Sequence, residues 1–277
     1  MLRIFYFKVT KLSLLLTIFI TICFHSTIRL KAIETGATQS IGYYTAGCIK
    51  NAAALPVDGV GYQVIRQSRK RYYGHPDLIQ FIRSLGQAVA SGLGGTLLIG
   101  DLSKENGGLM SDDHRSHQIG LDADILFWQY PITIKRMLTL QEREEIHPLS
   151  LLTADLADID NSKWNLIHGE IVKMAASSSP KVERIFVNPI IKRKLCKTYQ
   201  GEEWLRKIRP WYGHDGHFHV RLSCPADSPL CDPQEPVPPG DGCDSDLDWW
   251  FTEEAKKKSL PQTPRPLPKE CLTVLAE

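Results

Sequence analysis

The chain has 277 residues, 43% apolar and 23% charged, so it can bury a sizeable core and is neither disordered nor fibrous in composition. Its formal charge of +2 misleads, because Arg3, Lys8, Lys11, Arg29 and Lys31 all fall within residues 1–32, which carry no acid. The remainder is mildly acidic, which removes the electrostatic ground for nucleic acid or an anionic membrane surface as partner.

Residues 1–32 read as a signal peptide: a cationic start, an apolar run over Leu12–Phe24, then a polar stretch. At about 13 residues the run is short for a bilayer of roughly 30 Å and fits an export signal. An uncleaved anchor is the competing reading. Leu30-Lys31-Ala32 is a poor cleavage site, so the cut position stays open, and Ile22 before Cys23 argues against lipid attachment. No later stretch is apolar enough to span a membrane. The expectation is an exported chain with no stable membrane insertion once the signal is removed, and one domain over residues 33–277.

Tyr62–Ile65 reads as the first strand. After Pro76, a good first helical residue, Leu78, Ile79, Ile82, Leu85 and Val89 follow helical spacing, with Gly92 and Gly94 as stops. Strands are predicted at Thr96–Ile99 and Leu121–Phe127, and a second helix from Trp164 to about Ala176. Arg184–Val187 and Phe218–Leu222 complete the strands. Without regular βαβ alternation or a Gly-rich phosphate loop, the pattern predicts an α+β domain: a small, mainly antiparallel sheet flanked by helices. From about residue 233, prolines and polar residues predict an irregular segment.

Seven cysteines less Cys23 leave an even number, Cys48, Cys196, Cys224, Cys231, Cys243 and Cys271, which in an exported chain predicts three disulfides. Proximity suggests only Cys224–Cys231. No C-x-x-C occurs, which disfavours a cysteine metal site.

Five of the nine histidines form two clusters, His114 and His117, then His214, His217 and His219. If the second cluster is a strand, His217, His219 and Arg221 share one face, and Phe218, Val220 and Leu222 point to the core. Gly120 permits a bend before the other strand, on which Ala123, Ile125 and Phe127 face the core and Asp122 and Asp124 the opposite side. Two strands thus offer imidazoles and carboxylates to one groove. A catalytic zinc takes three such ligands and leaves a position for water, with a further base close by. His117, Asp124 and His219 are the candidate ligands and His217 the candidate base.

S-H-Q-x-G-L-D-x-D at Ser116–Asp124 and W-x-x-H-x-x-H-x-H-V-R-L at Trp211–Leu222 resemble the penicillin-insensitive murein endopeptidases. These are zinc peptidases related in their metal core to lysostaphin and the D-alanyl-D-alanine metallopeptidases. The resemblance continues through Gln39–Gly42, Arg71–Leu78, Leu98–Asp101, Arg184–Pro189, Trp204–Pro210 and Cys224–Ser228. It implies zinc on His117, Asp124 and His219, catalysis by His217, and supporting or second-metal roles for His114, His214, Asp155 and Asp158. At Asp158 this chain departs from the family pattern, which has a histidine there. It also implies disulfides Cys48–Cys271, Cys196–Cys243 and Cys224–Cys231, a peptidoglycan substrate, and a periplasmic location.

His75 before the helix reads as a cap or packing residue, and His147 and His168 as isolated. Ser116 lacks the surroundings of a nucleophile. Asp112-Asp113 and Lys256–Lys258 read as solvated, and Trp204 and Trp211 flank the histidines where a substrate groove would run. The function expected is hydrolysis of the D-alanyl–meso-diaminopimelate cross-link by metal-activated water, insensitive to β-lactams. The alternatives are a D-alanyl-D-alanine metallocarboxypeptidase and a non-catalytic zinc-containing peptidoglycan-binding protein.

Overall fold

The computed structural model describes residues 36–110, 114–127, 132–258 and 265–276. The expected export segment with Cys23, and Asp112-Asp113, lie outside them. Strands β1 (Gln39–Tyr43), β2 (Ala46–Lys50), β3 (Ala53–Ala54), β4 (Asp58–Gly59), β5 (Tyr62–Val64) and β6 (Tyr73–Gly74) precede helix α1 (Pro76–Gly92). There follow β7 (Leu97–Ile99), β8 (Asp122–Leu126), α2 (Ile132–Lys135), α3 (Leu140–Glu145), α4 (Leu166–Ser177), β9 (Val182–Val187) and α5 (Pro189–Thr198). The chain continues through β10 (Ile208–Pro210), β11 (His217–Leu222), α6 (Ser245–Trp249), α7 (Glu253–Lys258) and α8 (Glu270–Val274).

The main sheet runs β10-β9-β11-β8-β7-β5-β4. Only β10–β9 and β7–β5 are parallel pairs; the other four are antiparallel. The predicted α+β class with a mainly antiparallel sheet is what forms. On the two central strands residue character alternates with period two while burial does not: Phe218, Val220, Leu222, Ala123 and Ile125 are fully buried, and Asp122, Asp124, His219 and Arg221 between them are buried as well. Gly120, at φ 70°, makes the bend into β8, and a side chain there would run into Ile49, Gly74 and His75.

Helix α1 lays Leu78, Ile79, Phe81, Ile82, Leu85 and Val89 onto the core. Each such burial contributes about 1.5–3 kcal/mol, so a charge at Ile82 would undo the packing. His75 caps the helix, its Nδ1 accepting from the Asp77 N–H at 3.2 Å. In α4, Asn165 and His168 form a reciprocal cap, and His168 is buried there.

The described residues from Ala37 onward form one compact unit. Cys48–Cys271, Cys196–Cys243 and Cys224–Cys231 are bonded, the pairing the resemblance implies. The segment after residue 233 is less irregular than its prolines suggest, since α6, α7 and α8 punctuate it. The sequence reading also passes over the β1–β2 hairpin and α5. The first lacks polar alternation, because it is largely buried on both faces. The apolar stripe of α5 is interrupted by Lys192, itself buried. Among the described residues, no helix is long and apolar enough to cross a membrane.

Candidate metal centre

The register of β8 against β11 sets His219 opposite Asp124 and Arg221 opposite Asp122. Directly opposed residues on antiparallel strands share a face, so the acids and bases read from the sequence meet there.

Asp122 anchors the group and is fully buried. Its Oδ1 accepts from Arg221 Nε–H at 2.7 Å and from His219 Nε2–H at 2.8 Å, and its Oδ2 from the His117 backbone N–H at 3.0 Å. Burial opposes the charge, but Arg221 and then His219 hold the carboxyl well below its usual range. Arg221 in turn lies 4.2 Å over the Tyr44 ring.

His117 sits in the loop entering β8 with a left-handed backbone, φ 67°. Only a surrounding that fixes it keeps a non-glycine residue there, and the Asp122 bond to its N–H does so. Its Nδ1–H donates to the Leu102 carbonyl at 2.7 Å, which leaves Nε2 as the lone pair, 3.4 Å from Asp124 Oδ1. On His219 the bond to Asp122 takes Nε2 and turns Nδ1 toward Asp124 Oδ1 at 3.2 Å. Burial disfavours a proton on His219, yet Asp122 outweighs it and pushes the pKa up to about 9. A cation binding at Nδ1 competes with that proton.

Two atoms mark what the group lacks. His117 Nε2 and Asp124 Oδ1 are buried without a hydrogen-bond partner; the 3.2 Å approach of His219 Nδ1 is not aligned as one. Orphaned buried polar atoms are costly, and converging imidazole and carboxylate lone pairs are what a divalent cation satisfies. The residues present therefore fit a metal ion. Ligand atoms of His114, His117 and Asp124 lie within 4.8 Å of one another. His219 Nδ1 approaches the same carboxylate at 3.2 Å, but the group whose ligand atoms converge most closely is His114, His117 and Asp124, with His114 where the sequence reading set His219.

His114 Nδ1 stands 3.7 Å from Asp124 Oδ2, while its Nε2–H donates to Asp101 Oδ2 at 3.1 Å. The same Asp101 oxygen accepts from Arg69 at 3.1 Å and Arg71 at 3.0 Å. His217 Nε2 is 3.5 Å from Asp124 Oδ1, and its side chain is 24% exposed, the open edge of the cluster. Burial lowers its pKa, partly offset by Asp124, and keeps it a neutral base. His214 packs against it at 5.0 Å between ring centroids. Burial foremost, with the neighbouring His217 and His219 imidazoles disfavouring a further proton, presses the pKa of His214 down to about 3. Its φ of 49° is held by Asn188, whose N–H donates to the His214 carbonyl at 2.9 Å.

Asp155 and Asp158 do not join these contacts. Both are exposed in a tight turn, where Asp155 accepts from the Thr153 hydroxyl and the Ala157 N–H, and Asp158 from the Ile159 N–H. His75 and His168 serve as caps, and His147 is exposed. The sequence reading assigned no role to Asp101 or Asn188. It placed Asp122 and Arg221 on the right face without their roles; period two from Asp124 and His219 was the signal available for both. For Asp101 there was none, because its partners lie 13 to 32 residues away in sequence.

A family model described as penicillin-insensitive murein endopeptidase matches residues 40–276. A protein of that name from Haemophilus influenzae is 46% identical over 250 residues, 87% of this chain and 84% of the relative. One from Klebsiella pneumoniae is 46% identical over 246 residues, 87% of this chain and 88% of the relative. One from Salmonella newport is 45% identical over the same shares.

Proposed function

The chain belongs to the penicillin-insensitive murein endopeptidase family, and from that premise we propose that it is a zinc-dependent hydrolase of peptidoglycan cross-links. The bond cut is the one joining D-alanine to meso-diaminopimelate, and the compartment is the periplasm, reached through the signal in residues 1–32. The observation that carries the metal reading is the pair of orphaned buried atoms, His117 Nε2 and Asp124 Oδ1, facing each other. His117, Asp124 and His219 would hold the zinc, with Asp122 behind His219 and Asp101 behind His114 as orienting carboxylates. When bound, zinc supplies Lewis acidity toward the scissile carbonyl and lowers the pKa of water.

The chain's own residues do the rest. His217 is neutral because burial disfavours its charge, and it stands at the exposed edge where substrate enters. Its Nε2 takes the proton given up by the attacking water and returns it to the leaving amine of diaminopimelate. His214, also neutral, donates Nδ1–H to the Tyr212 carbonyl at 3.3 Å and packs beside His217, limiting its ring to a narrow range of positions. No serine is acylated in this scheme, so a β-lactam finds nothing to acylate.

A digest of purified muropeptides tests the reading. Cross-linked dimers converted to monomers, with the activity abolished by a chelator and restored by zinc, are expected. Loss of terminal D-alanine would make it a carboxypeptidase, and an unchanged profile a binding protein.

A further inference from the structure

Aromatic rings run from the centre to the surface. His219 meets Phe186 at 5.4 Å between centroids, Phe186 meets Trp211 at 6.1 Å, and Trp211 meets Trp250 at 5.8 Å. Trp250 also meets Tyr212 at 5.4 Å and Trp249 at 5.4 Å. Within this row Trp211 remains 46% exposed, between Phe186 and Trp250. A half-open indole in contact with other aromatic rings is a flat apolar surface, not a core residue that failed to pack.

Its backing is rigid. The Trp211 N–H donates to the Val187 carbonyl at 2.8 Å, which extends the sheet to this residue. The Tyr212 hydroxyl donates to the Trp250 carbonyl. Asp244 caps α6, Cys196–Cys243 ties that segment to α5, and the Arg193 guanidinium sits 4.2 Å over the Phe251 ring. The charge around the ledge selects its occupant. Asp244, Asp246 and Asp248 are exposed along α6, which leads into Trp249 and Trp250; of the cations there, Arg193 lies over the Phe251 ring and Lys256 is paired with Glu253 at 2.7 Å, with Lys257 exposed. An acidic margin repels a carboxylate-bearing peptide stem, whereas it offers acceptors to the hydroxyls and amide N–H of a neutral sugar.

We propose that Trp211, backed by Trp250 and Tyr212, is a sugar-stacking subsite that takes an N-acetylated hexosamine of the glycan strand while the peptide cross-link lies at the histidine cluster. The apolar C–H face of the pyranose lies on the indole, and its polar edge turns toward the α6 carboxylates. The proposal rests on the murein reading for its substrate, but its binding test does not.

Isothermal titration with peptide-free glycan strands, on zinc-loaded and zinc-stripped protein, reads the subsite directly. The wild type is expected to bind in both forms, Trp211→Ala to weaken binding about tenfold, and Trp211→Phe to restore most of it. Kinetics read it again: on disaccharide-bearing dimers against the same dimers stripped of sugar, Trp211→Ala should lower the ratio of kcat/KM values about tenfold, through KM. No binding by the wild type, or equal losses on both dimers, would overturn the subsite. Glycan binding by a wild type that cleaves neither dimer would uphold the subsite and sink the endopeptidase reading instead.

Discussion

Two regions of this protein bury charge, and they do it in opposite ways. Around β8 and β11, Asp122 and Asp124 meet imidazoles and a guanidinium, yet His117 Nε2 and Asp124 Oδ1 are left without partners. On α5, Lys192 is fully buried, and its Nζ donates to the Leu205 and Asp241 carbonyls, each at 2.7 Å. Burial, and then Arg209, push its pKa down to about 7, toward a neutral amine whose two N–H groups those two carbonyls satisfy. Burial of an ionisable group is common to both regions. What separates them is the remainder: the lysine leaves no orphaned atom, whereas the histidine cluster has donor atoms that only a further group can occupy. The first arrangement fastens the loop containing Asp241 to α5, and the second is built to receive something.

The largest effects should come from dividing the cluster by role. His217→Ala is expected to keep its zinc and lose about 10²–10⁴ in turnover, the usual worth of a proton-transferring group. His219→Ala should lose metal and turnover together. Atomic absorption beside cross-link cleavage distinguishes them, and the reverse pattern would exchange the two roles.

Asp122 tests the comparison one layer back. Asp122→Ala leaves Arg221 buried without its carboxylate and frees His219 to rotate. Losing one partner of a buried pair costs about 3–5 kcal/mol, and losing a ligand's orienting carboxylate typically 10–100-fold in metal affinity. Urea unfolding of the zinc-stripped protein measures the first and chelator competition the second. Unchanged zinc affinity would mean that Asp122 fastens the fold but does not orient His219.

How legible each region was follows from the same contrast. Alternation along His217–Leu222 and Leu121–Phe127 placed the polar face, because a strand's period of two fixes which side chains travel together. It left the pairing of Asp122 with His219 and Arg221 unread, since that depends on the register between strands 97 to 99 residues apart. Asp101 was hidden for the same reason, and the turn holding Asp155 and Asp158 shows the converse, acids close in sequence whose side chains bond within the turn. Lys192 gave no signal at all. In sequence it is one cation in a Lys-Arg-Lys run, and only the loop folded over α5 makes it a core residue.

The smallest effect should be a slope, and it belongs to the lysine. Between pH about 7 and the ordinary lysine value near 10.5, Lys192 in the folded protein is largely neutral while the unfolded chain keeps the proton. Stability rises with pH wherever the unfolded state binds more protons, so this group adds at most about 1.4 kcal/mol per pH unit across that window. Below pH 7 both states are protonated, and the burial penalty is present in full. Lys192→Met removes the titration and leaves two carbonyls unpaired, at a cost of about 1–3 kcal/mol each if no water reaches them. Urea unfolding at pH 8 and pH 9 on wild type and variant should show the wild type gaining on Lys192→Met by about 1 kcal/mol. Taking the difference cancels the tyrosines and histidines that titrate nearby in both proteins. Parallel profiles would show that Lys192 keeps its proton when buried, held by three donors and not two. The charge would then be paired by something the two carbonyls do not account for, and the contrast with the histidine cluster would fail at its quieter end.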